Sequence, residues 1–361
     1  MSQDATSIAV AASRSRTVNI LLGVALLLMV VDLVTEAAGG WASARFVLGA
    51  LALIPLAFVI GEATERLAEH TGPVLGGLLN ATMGNAPELM VSLFAIAGGL
   101  FTVVRASLVG SVVSNLLLVL GTSLTFAPRG RVSRSSVLST LGQVALAAVL
   151  FGGMAVHYGW RQSDRQASGF DLPLSAILLV LYVVVTARSV RAAYVEHRAD
   201  RAAADAGPPE WSMRKGLLYL LLATAATVVV THVVTDTIQA FATASGLGLF
   251  FTSAVVVALV GNAAEHGGAV VVAARGNRDL ALEISLSSSA QVALFVLPVV
   301  ALVSAAFRPM PMAFQPVEIV SLGIAVLLPA AVLGRGWSSR ARGLILIAGY
   351  VALACAYFVF G

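Results

Sequence analysis

Ala81-Thr82-Met83-Gly84-Asn85-Ala86-Pro87-Glu88 and Ala258-Leu259-Val260-Gly261-Asn262-Ala263-Ala264-Glu265 each lie inside a long apolar run, one in each half of the chain. Five of their eight positions are identical, and each copy ends in a carboxylate with no Lys or Arg within several residues. An ionisable side chain at membrane depth costs about 2.5–3.5 kcal/mol on insertion scales, so it normally marks an ion site or pathway. Finding it twice, on related segments, points to a transporter built from repeats, with its site where they meet.

The surrounding sequence supports a membrane setting. Hydrophobic residues make up 58% of the 361-residue chain and charged residues 11%, against about 25% charged in a typical soluble domain. Apolar stretches of about 20 residues, each enough to cross a bilayer as a helix, follow one another with short polar breaks. Lipid-exposed backbone must satisfy its own hydrogen bonds, which predicts an all-α integral membrane protein embedded in the lipid bilayer. The net charge of +4 reads as a topogenic excess, so no nucleic-acid partner is expected. The single cysteine, Cys355, precludes an internal disulfide or a cysteine metal cluster.

Eleven spans are predicted, at about 17–37, 43–61, 72–99, 103–127, 136–158, 170–190, 215–235, 246–274, 280–305, 313–333 and 341–360. The domain boundaries follow: 1–42 as tail and first helix, 43–190 as repeat 1, 191–214 as a cytoplasmic linker, and 215–361 as repeat 2. Five helices per repeat is an odd number, so the repeats must insert with opposite orientation. With the N-terminus in the cytoplasm, 17 Lys and Arg fall on that side and 5 on the other, the asymmetry expected of a multi-pass cell-membrane (inner-membrane) protein. The C-terminus then lies outside. Asp32, Glu36 and Asp236 are expected at exposed outer ends.

Within the motif, Gly84-Asn85 and Gly261-Asn262 weaken the helix, and Pro87 removes one amide and disfavours helical geometry at Ala86. Carbonyls near Met83, Gly84, Val260 and Gly261 are then free to turn toward a cation. Two carboxylates meeting at mid-membrane suit a hard divalent cation such as calcium, which takes about 6–8 oxygen ligands. Without the cation, two close carboxylates in a low dielectric cannot both stay ionised. The same pair thus binds one divalent cation or about two protons, the competition an antiporter needs. The next helix of each repeat also matches, Gly110-Ser111-Val112-Val113-Ser114-Asn115 aligning with Leu286-Ser287-Ser288-Ser289-Ala290-Gln291. These groups serve either as ion-site lining or as interhelical hydrogen bonds.

Gly84-Asn85-Ala86-Pro87-Glu88 and Gly261-Asn262-Ala263-Ala264-Glu265-His266 resemble the paired motifs of the calcium/cation–proton antiporters, the CAX branch of the calcium/cation antiporter superfamily. The flanks agree: Gly61-Glu62-Ala63-Thr64-Glu65, Gly76-Gly77-Leu78-Leu79-Asn80-Ala81-Thr82, and Gln291-Val292-Ala293-Leu294-Phe295-Val296-Leu297-Pro298. The resemblance spans about 45–360. It implies one N-terminal helix plus two inverted five-helix repeats, and cation-for-proton exchange. It also implies Glu88 and Glu265 as cation and proton carriers, lined by Gly84, Asn85, Gly261, Asn262, Ser111, Asn115, Ser288 and Gln291. The family's members often carry an acidic stretch between the repeats, whereas 191–214 is mixed in sign.

His266, directly after Glu265, is a candidate for proton handling or for packing. Glu62, Glu65 and Glu69 share one helical face and form either a solvated helix end or a cation-attracting cytoplasmic vestibule. No His-Glu-x-x-His, Gly-x-Ser-x-Gly, P-loop or Cys-x-x-Cys occurs, which argues against an intramembrane enzyme. The expected function is exchange of cytosolic calcium for external protons, with no cofactor and calcium as transported substrate. The alternative is sodium–calcium exchange, or broader exchange including manganese, on the same fold. A homo-oligomer is compatible with the sequence.

Overall fold

A computed structural model describes residues 2–158, 168–201, 211–310 and 314–360. Helices account for almost all of it: α1 (Ser2–Ala37), α2 (Ala42–Gly84), α3 (Ala86–Ala97), α4 (Phe101–Val113), α5 (Leu120–Phe126), α6 (Arg134–Tyr158) and α7 (Ser168–Arg201). The second half holds α8 (Met213–Ser245), α9 (Leu249–Phe251), α10 (Ala258–Gly261), α11 (Ala263–Ala274), α12 (Arg278–Gln291), α13 (Leu297–Phe307), α14 (Pro316–Leu333) and α15 (Arg340–Phe360). Three π-helical segments, Ser114–Val119, Thr252–Val257 and Val292–Val296, join α4 to α5, α9 to α10 and α12 to α13.

Among the described residues, eight helices are long and apolar enough to cross a bilayer. A ninth pass is broken, Leu249–Gly261 and Ala263–Ala274 meeting at 60°, and Ala86–Ala97 and Leu172–Arg188 are shorter apolar helices. With each pass counted once, these are the eleven passes of an all-α membrane protein, one N-terminal helix followed by two five-helix repeats.

One predicted boundary needs correcting. The spans expected at 43–61 and 72–99 are not separate helices, because α2 keeps helical hydrogen bonds from Ala42 to Gly84. It is nevertheless not straight. An added methyl at Gly267 would meet Phe58 at 2.8 Å, and one at Gly84 would meet Glu265, two residues from Gly267, at 3.8 Å. A straight helix would part Phe58 from Gly84 by about 39 Å. The chain therefore bends back within α2, and Pro73, which lacks an amide, lies in that stretch.

Local chemistry sets the other ends. Ser212 caps α8 by accepting from the Lys215 amide at 3.3 Å, and Gly246, at φ 69°, terminates it in the left-handed region. Gln315 and Glu318 form a capping box ahead of Pro316. At one end of the bundle, β1 (Gly130–Arg131) pairs antiparallel with β2 (Trp337–Ser338), and the His70 ring meets the Trp211 carbonyl at 2.6 Å. At the other, Arg45 bridges Asp32 at 3.1 Å and Glu36 at 3.0 Å, tying α2 to α1. Asp32, expected exposed, is instead buried, because a carboxylate at a helix end can withdraw from water once a guanidinium from the next helix meets it. Of the predicted linker, 191–201 is the end of α7, while 202–210 lies outside the described residues.

Candidate functional site

Both motif copies break their helices at the same place. α2 stops at Gly84, Asn85 adopts φ −96° and ψ 15°, and α3 resumes at Ala86. α10 stops at Gly261, Asn262 adopts φ −91° and ψ 10°, and α11 resumes at Ala263. At each break the Asn backbone N–H donates to a carbonyl just before it, that of Met83 at Asn85 and those of Ala258 and Val260 at Asn262. Glu88 and Glu265 fall in the first turn of the helix that follows, where the N-terminal amides favour negative charge.

The two carboxylates reach across the junction of the repeats. Glu88 Oε1 lies 3.2 Å from where a Cβ on Gly261 would stand, and Glu265 Oε1 lies 3.8 Å from the same point on Gly84. Each acid thus rests against the glycine of the opposite motif, and the absent side chains leave room for it.

The amides and hydroxyls complete the arrangement with bonds that nearly all cross between repeats. Asn85 Nδ2 donates to Gln291 Oε1 at 2.8 Å. Asn262 Nδ2 donates to Ser111 Oγ at 2.8 Å, and Asn115 Nδ2 donates to Ser288 Oγ at 2.8 Å. His266 Nε2 meets Asn115 Oδ1 at 3.0 Å, and Ser288 Oγ donates to Glu265 Oε2. The eight residues expected to line the site, Gly84, Asn85, Ser111, Asn115, Gly261, Asn262, Ser288 and Gln291, therefore gather at one junction with the two acids and with His266.

The pseudo-symmetry is imperfect. Sequence alignment pairs Ser111 with Ser287, but the Ser287 hydroxyl turns back to the Ile284 carbonyl at 3.3 Å, and Ser288 takes the site-facing position. Glu88 is buried, and its Oε2 has no hydrogen-bond partner among the described residues, whereas Glu265 and His266 are half-buried. The π segments Ser114–Val119 and Val292–Val296 begin beside Asn115 and Gln291. Such wide turns are frequent at functional sites, where they re-aim side chains off the regular helical face.

Glu62, Glu65 and Glu69 do not reach this junction. Arg66 donates to Glu62 at 2.7 and 2.8 Å and to Glu69 at 2.6 Å, so Glu65 alone keeps an exposed carboxylate on that face without one of these Arg66 contacts. A second buried charge pair was missed in the sequence: Arg105 of α4 and Glu318 of α14, 3.6 Å apart. Each sits near the end of an apolar run, where a lone charge is read as solvated; only the partner on the other repeat shows otherwise.

The geometry is that of paired, broken helices whose acids converge from two related halves, and the comparisons agree with it. The sodium/calcium exchanger protein family matches residues 41–191 and 215–359. The chain belongs to that family. It is 34% identical over 335 residues to the Ca(2+)/H(+) antiporter ChaA of Bacillus subtilis, covering 88% of this chain and 93% of the relative. It is 35% identical over 335 residues to the vacuolar cation/proton exchanger 1a of Oryza sativa subsp. japonica, covering 87% and 74%. Its structure matches native YfkE with a TM-score of 0.80 at 29% identity, covering 95% of this chain and 100% of YfkE. An H+/Ca2+ exchanger CAX shares the fold at TM-score 0.71 and 14% identity, over 95% and 92% of the two chains.

Proposed function

We propose that this protein exchanges cytosolic calcium for external protons by alternating access, with Glu88 and Glu265 binding either the cation or protons. The observation that carries the reading is the reciprocal seating of each acid on the glycine of the other repeat. Two carboxylates brought together in this way neutralise one divalent cation, and the amide and hydroxyl oxygens of Asn115, Asn262, Ser111 and Ser288 supply further hard ligands. Asn85 and Gln291 hold the two halves in register, and His266 fixes Asn115. The relatives named as Ca2+/H+ antiporters support the same substrates.

On the basic-residue asymmetry, the proposed orientation has the N-terminus, the linker, and the end of the bundle holding His70, Gly130 and Trp337 in the cytoplasm. Arg45, Arg308 and the C-terminus then face outside. Calcium meets Glu265 from the cytoplasmic side, where α11 is half-exposed, while α3 buries Glu88 on the outer side. Protons entering from outside replace the cation and reset the carrier.

Cation-by-cation transport in proteoliposomes tests this reading. An imposed pH gradient should drive saturable calcium uptake, and a sodium gradient of equal size should drive none. Sodium-driven uptake without proton coupling would assign the protein to sodium–calcium exchange instead.

A further inference from the structure

We propose that Arg105 of α4 and Glu318 of α14 are a positioning pair for the exchange site: their contact fixes the axial register of α4, and with it the places of Ser111 and Asn115. The proposal rests on the exchanger reading above. Arg105 Nε and Glu318 Oε1 lie 3.6 Å apart across the two repeats, and both side chains are buried. Glu318 is set by its own helix, because its Oε2 accepts from the Gln315 amide in the capping box, which leaves Oε1 toward Arg105. Apolar side chains of similar volume hold helices together at least as well as a buried ion pair, so the pair contributes geometry more than cohesion. The other repeat does without the charge. In the alignment that matches Ser111 to Ser287, Arg105 falls opposite Ala281, which is equally buried in α12.

Two faces of α4 offer little to stop it sliding along its axis. Gly110 meets the π segment Thr252–Val257, where an added methyl would overlap the Ala254 carbonyl, and at that close approach no side chain interlocks. Arg105 lies about 140° round the helix from Gly110, on a stripe with Val109 and Val112. Val109 and Val112 border a cavity together with Leu322 of α14, one turn after Glu318. An unfilled space supplies no contact atoms to resist a slide. The directional contact between α4 and α14 is therefore the ion pair. What it positions lies further along α4, about 9 Å away at Ser111 and about 15 Å away at Asn115. Ser111 Oγ accepts from Asn262 and Asn115 donates to Ser288, each at 2.8 Å, and His266 meets Asn115 at 3.0 Å. A slip of one residue moves these groups by about 1.5 Å, which parts such bonds.

Arg105→Met/Glu318→Gln removes both charges, keeps an acceptor for the Gln315 amide and leaves no lone charge buried. Half-saturating calcium for proton-driven uptake should rise at least ~5-fold, while the maximal rate per inserted protein changes by less than ~2-fold. A merely structural pair would lower the amount inserted or the maximal rate instead. Adding Ser111→Ala to this variant should cost less than Ser111→Ala alone, because its bond is already lost. Adding Asn85→Ala, whose bond runs to Gln291 and not to α4, should cost its full factor. The register itself is read without substrate, from cysteines at Val109 and Leu322 in a Cys355→Ser background. Each follows its member of the pair by one turn, on helices an even number of passes apart, which therefore run the same way. Bridging by a two-carbon bis-methanethiosulfonate should slow at least ~5-fold once the pair is removed. Unchanged bridging, or an unchanged calcium dependence in a variant that transports, would overturn the proposal. Slower bridging, with no proton-driven calcium uptake by the unmodified protein, would keep the positioning pair and remove the substrate assignment. Should the double variant fail to reach the membrane, Arg105→Lys keeps the charge and loses the reach of the guanidinium. It should shift both readouts in the same direction, and no shift in either would overturn the proposal.

Discussion

The carboxylate of Glu88 rests on Gly261, its Oε1 3.2 Å from where a Cβ would stand, while Glu265 sits at 3.8 Å from the equivalent point on Gly84. The contact is reciprocal but unequal. A methyl at Gly84 would make an ordinary van der Waals contact; one at Gly261 would press on the acid. Gly→Ala raises helix preference by about 1 kcal/mol at either position, so a difference between the two isolates crowding. Gly261→Ala should lower apparent calcium affinity about 10-fold and Gly84→Ala by less than about 3-fold, measured as the calcium dependence of uptake. Equal losses would mean that backbone preference, not the seat of Glu88, sets the requirement for glycine.

The hydrogen bond from Asn85 to Gln291 joins the motif of one repeat to the second helix of the other. Asn85→Ala, Gln291→Ala and the double variant form a cycle. Interhelical bonds of this kind couple by about 0.6 kcal/mol and up to about 1.7 kcal/mol. The two single losses in calcium affinity should therefore exceed additivity by about 3- to 20-fold, because either change alone already breaks the bond. Strict additivity would show that the two side chains act separately.

A shared site has a defined pH dependence. Calcium binds the deprotonated acids, and protons bind the same oxygens when calcium leaves, so calcium affinity must fall as pH falls on the binding side. Where two protons are displaced per cation, the fall approaches about 100-fold per pH unit, and where one is displaced, about 10-fold. Calcium binding titrated between about pH 5 and 8 checks it. A flat profile would separate the proton site from the cation site.

Much of this was legible before any coordinates. The repeated Gly-Asn-Ala and trailing Glu located both helix breaks, because residues that weaken a helix and a charge that shuns lipid act locally and show in the string itself. Asn115 and Gln291 were visible as a pair for the same reason. Ser288, expected among the lining residues, meets Glu265 and Asn115, while Ser287, the residue that aligns with Ser111, turns back to the Ile284 carbonyl. The charge pairs were hidden for a different reason. Asp32 with Arg45, and Arg105 with Glu318, depend on helices that meet only in three dimensions, and each residue alone reads as a solvated helix end. Arg66 was in plain view at i+4 and i−3 of Glu62 and Glu69, and its contacts offset much of the acidic face. The continuity of α2 escaped because Gly72-Pro73 signals an interruption, whereas the hydrogen bonds continue around the bend.

Orientation can be read directly. In a Cys355→Ser background, cysteines at Ser133, beside β1, and at Thr243, in the last turn of α8, should label from the cytoplasmic and the outer face respectively. The 17-to-5 division of basic residues sets this expectation. Labelling of both from one side would mean that the two repeats are not inverted.

The central claim is that one acid from each repeat makes a single exchange site, and replacement of the acids tests it most directly. Glu88→Gln and Glu265→Gln keep the shape of each side chain and remove one charge. The remaining carboxylate cannot neutralise a divalent cation, nor carry two protons in return. Proton-driven calcium uptake, measured in proteoliposomes and normalised to inserted protein, should fall at least ~100-fold in either variant. Near-normal uptake by either one would contradict the account.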